Sequence, residues 1–239
     1  MPIHMKLLAL DTSTELLHLG ASDGERQLSH VRAGAAQASG SVLPLALETL
    51  TGLGLRLTEL DAIVMGRGPG SFTGLRTACA VAQGLAFGAD LPVLPIDTLL
   101  AVAEDARGPL EQVRVLTVLD ARMGQFYGAA WEYHQGRWRE VRSPALLHPG
   151  EVCWPVEWQD PSWPMRLAGI GLEGLSIDAP AMVPADLQRV TAAPTAEALM
   201  RLAPAAWQAG QAVPADQAMP LYLRDKVALT SAERAAVAS

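Results

Sequence analysis

Short apolar runs separated by turn residues open the chain. An apolar run at 6–10 ends at Asp11, and two further runs follow at 16–22 and 26–32 with an Asp-Gly turn between them. Runs of this length, bounded by Gly, Asp and Ser, are typical of β-strands. The pattern therefore predicts a three-stranded meander.

Helical and strand patterns alternate after the meander. Leucine and alanine recur at helical spacing after the serines near residue 40, and residues 62–66 form a short apolar run typical of a buried strand. Small residues at helical spacing fill 74–88, and a strand at 92–96 and a helix at 98–106 are predicted next. The predicted order is β-β-β-α-β-α, with one further β-α pair.

The same order begins again near residue 114. An apolar run ends at Asp120, which lies 109 positions after Asp11, and strand patterns at 125–133 and 137–142 follow across a His-Gln-Gly turn. A strand that ends in Asp and leads into a hairpin, present twice, predicts a duplicated α/β unit with a cleft between the copies. Generic patterning that produced two similar meanders is the alternative.

The second copy is weaker than the first. Beyond Ser143 only a strand at 166–170 and a helix at 195–210, kinked by Pro204, are predicted. The duplicated pattern resembles that of the actin-like (ASKHA) superfamily, and this resemblance implies an α/β fold with two lobes. Residues 1–106 would form the N-terminal lobe, and residues 107–239 would form a reduced C-terminal lobe.

Composition and charge limit the function classes. The chain has 239 residues, half of them hydrophobic, and a formal net charge of −7 with a pI near 5.2. Such a surface is a poor match for phosphates, because binding to nucleic acids depends on clustered Lys and Arg. If RNA is involved, we expect another subunit to supply most of the positive charge.

The cysteines and the N-terminus indicate a cytoplasmic protein. Cys79 and Cys153 lie far apart and outside any CxxC spacing, which favours neither a disulfide framework nor a zinc site. The first residues lack a basic segment followed by a long apolar one, and no apolar stretch is long enough to span a bilayer. No association with a membrane is predicted.

The Gly-rich segment GRGPGSFTGLR, at 66–76, is the most informative one. A Walker-type phosphate loop requires Lys followed by Ser or Thr where this chain has Leu75 and Arg76, and a nucleophile elbow requires a GxSxG context that Ser71 lacks. We expect the glycines to permit a tight turn and Ser71 or Thr73 to cap the following helix. Direct phosphate binding by the loop is the alternative.

Asp11 and Asp120 occupy strand ends where proteins of the actin-like superfamily place acidic residues that handle metal-bound phosphate. The first turn, however, reads DTST where a nucleotide-binding protein of that superfamily would have DxGT, so the Cβ of Ser13 stands where backbone must approach phosphate closely. We predict a weak or vestigial nucleotide site. Its residues would be Asp11, Ser13, Gly68, Gly70 and Ser71.

No metal site and no catalytic residue is predicted. The five histidines show neither HxxxH nor HExxH spacing, so no helix can present two of them to one metal ion.

Five segments together closely resemble the TsaB (YeaZ) family of the Gcp/M22 group, nearly from end to end. They are ALDTST at 9–14, GRGPGSFTGLR at 66–76, AQGLAFGADLP at 82–92, DARMGQFY at 120–127 and PLYLRDKVA at 220–228. The resemblance implies an actin-like fold and a non-catalytic subunit required to form N6-threonylcarbamoyladenosine next to the anticodon of tRNAs that read ANN codons.

The resemblance also implies partners. It points to a heterodimer with the catalytic paralogue TsaD, to binding of the ATPase TsaE, to a homodimer when the chain is alone, and to tRNA contacts through the complex. ATP or ADP and metal would belong to the partner subunits, and the chain would bind no cofactor by itself. A self-standing actin-like ATPase or kinase, and an M22-type glycoprotease, are the competing hypotheses.

Two helices are expected to form the surface that meets the partner. Their apolar stripes contain Val42, Leu43 and Leu47 in the first helix and Leu75, Ala78, Ala82 and Ala86 in the second. One departure from the family pattern is that Ala38 stands near the place where its members often have a histidine.

Overall fold

The computed structural model describes residues 4–34, 39–158, 162–172, 175, 177 and 187–224. Ala38 and the last four residues of the 220–228 segment lie outside this part of the chain. Within it, ten strands form two sheets, and four α-helices pack on them.

The first sheet has the strand order β3-β2-β1-β4-β5. Its meander is antiparallel, and β1, β4 and β5 run parallel. The elements of this half are β1 (Leu7–Asp11), β2 (Leu16–Ser22), β3 (Gln27–Ala33), α1 (Ser39–Gly52), β4 (Ala62–Gly66), α2 (Phe72–Ala89), β5 (Val93–Ile96) and α3 (Thr98–Arg107). The predicted β-β-β-α-β-α order with its extra β-α pair is confirmed.

The second sheet repeats this topology in the order β10-β9-β6-β7-β8. Its elements are β6 (Gln112–Arg122), β7 (Gln125–His134), β8 (Arg137–Leu147), β9 (Met165–Gly169), β10 (Gln188–Thr191) and α4 (Ala196–Gln208). An antiparallel meander again precedes two parallel strands, so the duplication is confirmed. Between β8 and β9 the described residues contain only a short 3-10 turn, and β10, which is short and mostly exposed, was not predicted.

The last helix of each half packs on the sheet of the other half, and we call α3 and α4 the exchanged helices. One face of the first sheet packs on α1 and α2, whereas the other face packs on α4 through residues such as Leu7, Val64 and Leu199. Helix α3 packs on the second sheet, where Val102 contacts a core that includes Val115. The predicted division between residues 106 and 107 falls at the end of α3, and packing links the two parts of the chain across it.

Glu104 joins the exchanged helices. Its carboxylate lies in α3 with 3% of the residue exposed, and it accepts hydrogen bonds from Arg107 (2.7 and 2.9 Å), from Arg201 of α4 (2.7 Å) and from the indole N–H of Trp138 in β8 (2.9 Å). Burial alone would raise the pKa of Glu104, but these hydrogen bonds outweigh burial and hold the pKa below its usual value. One carboxylate therefore connects α3, α4 and the second sheet.

None of the described helices is both long and apolar enough to cross a bilayer.

Glu104→Gln should lower the free energy of unfolding by about 2–3 kcal/mol, because it removes the charge that Arg107 and Arg201 share at a buried position. The carboxylate stabilises the fold above its ordinary pKa of 4.5, and this contribution is lost as the pH falls through the lowered folded pKa, so the deficit should shrink in acid. Urea unfolding followed by circular dichroism at several pH values measures both effects. Glu111→Gln, at an exposed position, is the control, and an equal loss in both variants would contradict the assignment.

Candidate functional site

The first turn closes around the carboxylate of Asp11. This carboxylate is fully buried at the end of β1, where one oxygen accepts hydrogen bonds from the backbone N–H and the hydroxyl of Ser13 (2.7 and 2.6 Å). The other oxygen accepts a hydrogen bond from the hydroxyl of Thr98 (3.0 Å). Burial raises the pKa of Asp11, and the hydrogen bonds from Ser13 oppose that rise. Both oxygens are therefore used inside the protein.

The Gly-rich loop lies directly against this turn. The N–H of Ser71 donates to the carbonyl of Ser13 (2.7 Å), and the hydroxyl of Thr12 donates to the carbonyl of Gly74 (2.6 Å). A Cβ at Gly74 would stand 1.7 Å from the carbonyl oxygen of Thr12, and one at Gly70 would stand 2.5 Å from the Cβ of Ser13. These two positions require glycine because another part of the backbone occupies the space of a side chain.

Turn and cap roles are confirmed for two residues of the loop. Gly68 has a φ of +107°, a conformation that favours glycine, and its N–H donates to the hydroxyl of Thr98 (3.0 Å). Ser71 is the N-cap of α2 and accepts from the N–H of Gly74 (3.4 Å). The loop is thus a tight turn that starts a helix, as the sequence predicts.

The structure places all five residues of the predicted nucleotide site close together. Hydrogen bonds within the protein involve polar groups of Asp11, Ser13, Gly68 and Ser71. Asp11, Ser13 and Gly68 are buried, Gly70 is half-buried and Ser71 is exposed. The polar groups of Asp11 and Ser13 are hydrogen bonded to protein groups in this arrangement. Nucleotide binding at this weak or vestigial site stays a prediction.

Asp120 lies apart from this cluster, at an exposed position near the end of β6. Its carboxylate accepts from the N–H of Arg122 (2.8 Å). The side chain of Arg122 in turn reaches the carboxylate of Glu15 in the first turn (2.5 Å). The corresponding turns of the two lobes therefore meet through an exposed ion pair, which sequence reasoning did not find because its partners are 107 residues apart.

His18 is a buried group that the spacing of the histidines in the sequence does not single out. It faces Asp11 in the β1–β2 register with 3% of the residue exposed, and neither ring nitrogen has a hydrogen-bond partner among the described residues. Burial lowers the pKa of His18, and the carboxylates of Asp11, Asp105 and Glu197 oppose that shift. β2 is buried almost throughout, and the nearly continuous apolar run around His18 is the signal that could have identified it as a buried residue.

The predicted interface residues divide into two groups. Five of them are buried in the core of the first lobe: Val42, Leu75, Ala78, Ala82 and Ala86. For these the prediction of partner contact is wrong, because the apolar stripe found by helical spacing faces the sheet. Leu43 and Leu47 are 45% and 47% exposed, so these two remain candidates.

The free face of α2 borders an open groove. This α1–α2 groove encloses about 750 Å³, and its walls include Leu43 of α1 and Phe72, Ala80, Val81 and Gly84 of α2. Among its described lining residues only Arg76 is charged. Phe87, near the end of the same helix, is 85% exposed. The groove and Phe87 together give this side of α2 an exposed apolar surface.

Within the described part of the chain, no three His, Cys, Asp or Glu side chains lie close enough together to hold a metal ion.

Comparison with known proteins gives the family. The family model described as "TsaD: tRNA N6-adenosine threonylcarbamoyltransferase" matches residues 33–231. The Escherichia coli (strain K12) protein named tRNA threonylcarbamoyladenosine biosynthesis protein TsaB is 34% identical, and the match covers 94% of this chain and 96% of that one. The chain belongs to the TsaB (YeaZ) family.

Other TsaB relatives agree with this assignment. The Haemophilus influenzae TsaB is 38% identical over 165 residues, which cover 62% of this chain and 66% of that one. The solved structure of YeaZ from Pseudomonas aeruginosa superposes with a TM-score of 0.79 at 37% identity, covering 92% of this chain and all of that one. The actin-like duplicated fold expected from the sequence is confirmed.

Gly74→Ala should destabilise the protein by about 3 kcal/mol or more, because the new Cβ meets the Thr12 carbonyl and forces α2 away from the first turn. Gly84→Ala is the matched control in the same helix, where a Cβ meets nothing within 4 Å. It should stabilise the helix by about 0.5–1 kcal/mol. Thermal and urea unfolding measure both changes, and two variants of equal stability would contradict the packing role of Gly74.

Proposed function

We propose that this TsaB-family chain is a non-catalytic assembly subunit in the formation of N6-threonylcarbamoyladenosine in tRNAs that read ANN codons. It pairs with the catalytic paralogue TsaD and recruits the ATPase TsaE. The names of its relatives support the pathway. The observation that carries the assembly role is the contrast between a closed first turn and an open apolar groove.

The closed turn supports a role without chemistry. An actin-like enzyme that transfers phosphate needs backbone N–H groups and a carboxylate turned toward its nucleotide. Here the N–H groups of Ser13 and Ser71 and both oxygens of Asp11 are hydrogen bonded within the protein. On this proposal ATP or ADP and metal bind in the partner subunits, and this chain needs neither to fold.

The groove supports pairing. Ala80 and Gly84 leave the free face of α2 smooth, which lets the axis of a partner helix approach closely. Leu43, Leu47 and Phe87 add apolar area around it. Because an isolated chain leaves this surface uncovered, a homodimer through the same groove would compete with the paralogue.

The charge of the chain supports indirect contact with tRNA. With a net charge of −7, the chain contributes little to the neutralisation of phosphates, so the paralogue would supply most of the tRNA surface. Such a complex would assemble in the cytoplasm, where tRNA is modified.

The purified chain alone should produce no threonylcarbamoyladenosine, and it should be required when the paralogue, TsaE and the adenylate-forming enzyme are combined with tRNA. The reason is that the carboxylate of Asp11 and the polar groups of Ser13 are already hydrogen bonded within the protein. Mass spectrometry of nucleosides from the treated tRNA measures the product. Transfer by the lone chain, or full activity of the mixture without it, would disprove the assembly role.

Gly84→Arg should weaken pairing with the paralogue by several kcal/mol, because the long side chain fills the groove and buries an unpaired charge against the partner. A Cβ at Gly84 meets nothing within 4 Å, so the free chain should stay folded. Gly150→Arg, at an equally open position in the second lobe, is the control. Ala82→Arg is unsuitable, because Ala82 is fully buried and the substitution would unfold the lobe.

Calorimetric titration with the paralogue, together with a circular dichroism melt of each variant, gives the result. A folded Gly84→Arg chain that binds the paralogue as tightly as the wild type would remove the groove from the interface.

A further inference from the structure

The segment Ala218–Arg224, which we call the strap, connects α2 with the second sheet. Its first carbonyl accepts hydrogen bonds from the thiol of Cys79 and the amide of Gln83 in α2, both at 3.0 Å. Farther along, the N–H of Leu221 donates to the carbonyl of Arg67 (2.7 Å). The strap therefore leaves α2 and crosses the Gly-rich loop.

In the middle of the strap, Tyr222 joins a cluster on the wall of the α1–α2 groove. Its ring lies 5.5 Å from that of Phe72, and its hydroxyl accepts from the Nε–H of Arg76 (3.2 Å). The guanidinium of Arg76 in turn lies 3.8 Å above the Phe72 ring. Because Phe72 and Arg76 line the groove, an occupant of the groove touches the side chains that hold the strap.

The far end of the strap braces the β6–β7 turn. Arg224 donates hydrogen bonds to the carbonyls of Ala121 (3.0 Å) and Arg122 (3.3 Å) and to the side-chain carbonyl of Gln125 (2.8 Å). Leu223 packs on the core of the second lobe. The strap thus makes contact with both lobes within seven residues.

The braced turn has an unfavourable backbone. Arg122, Met123 and Gly124 all have positive φ angles, of 65°, 56° and 70°. Residues other than glycine seldom adopt this conformation, so two of the three depend on surrounding contacts to hold it. Arg224 supplies such contacts, and a turn of this kind opens readily when they are lost.

We propose that the strap couples the α1–α2 groove to the β6–β7 turn. When an occupant restricts the motion of Phe72 and Arg76, it also restricts Tyr222. The hydrogen bonds from Arg224 to the turn then break less often. Loss of the cluster releases the turn and, through Arg122, its ion pair with Glu15 of the first lobe. Only the identity of the occupant rests on the proposed pairing with the paralogue.

Hydrogen–deuterium exchange of the free chain tests the coupling without a partner. Tyr222→Ala should speed exchange in a peptide that covers 120–127 at least threefold. Arg224→Gln should have the same effect, because it removes the side chain that contacts the turn itself. Leu43→Ala, on the opposite wall of the groove, is the matched control and should leave this peptide unchanged. A peptide from β1 serves as the reference that detects global destabilisation.

Three results of the free-chain experiment would overturn the proposal. They are an unchanged 120–127 peptide in Tyr222→Ala, an unchanged peptide in Arg224→Gln, and faster exchange in β1 equal to that in the turn.

Addition of the paralogue separates the coupling from the proposed pairing. In the wild type, exchange should slow in α1, α2 and 120–127, whereas in Tyr222→Ala it should slow in the two helices alone. Protection of the helices without protection of the turn in the wild type would overturn the coupling. A lack of protection in the helices would instead reject the pairing surface, and the free-chain result would still decide the coupling.

Discussion

The backbone of the first turn approaches the start of α2 more closely than any side chain would allow. Glycine at positions 70 and 74 makes this approach possible, because a Cβ at either would lie within 2.5 Å of Ser13 or Thr12. The contact fixes where α2 begins relative to β1. The position of α2 then determines one wall of the groove and the path of the strap, so the exposed surfaces depend on a contact that is itself buried.

Local patterns in the sequence were sufficient for every helix and strand but β10 and for the repetition of the unit, whereas β10 is short and mostly exposed and carries no clear pattern. Each meander follows from apolar runs and turn residues that are consecutive in the sequence, which is the range that such patterns cover. The exchange of α3 and α4 could not be predicted in this way. It depends on contacts such as that between Glu104 and Arg201, which are 97 residues apart. The apolar face of a helix indicates that the helix packs on something without indicating which sheet it covers.

The candidate site was predicted in part. The Gly-rich motif indicated a tight turn and a capped helix, but glycine permits close approach by a phosphate and by another segment of backbone equally well. Only the structure shows that Thr12 and Ser13 occupy that space. Helical spacing likewise identified the apolar stripe of α2 without indicating whether a sheet or a partner covers it. Ala82 and Gly84, two positions apart, face opposite environments.

The exchanged helices also affect how the chain folds during its synthesis on the ribosome. The first sheet receives its last strand, β5, at Ile96, yet the helix that covers its second face ends at Gln208. At 5–20 residues per second, roughly ten seconds of translation separate the two events. During that interval the apolar side chains of Leu7 and Val64 are not yet covered by α4. We therefore expect the nascent first lobe to need chaperone protection and to complete its folding only after nearly the whole chain has emerged.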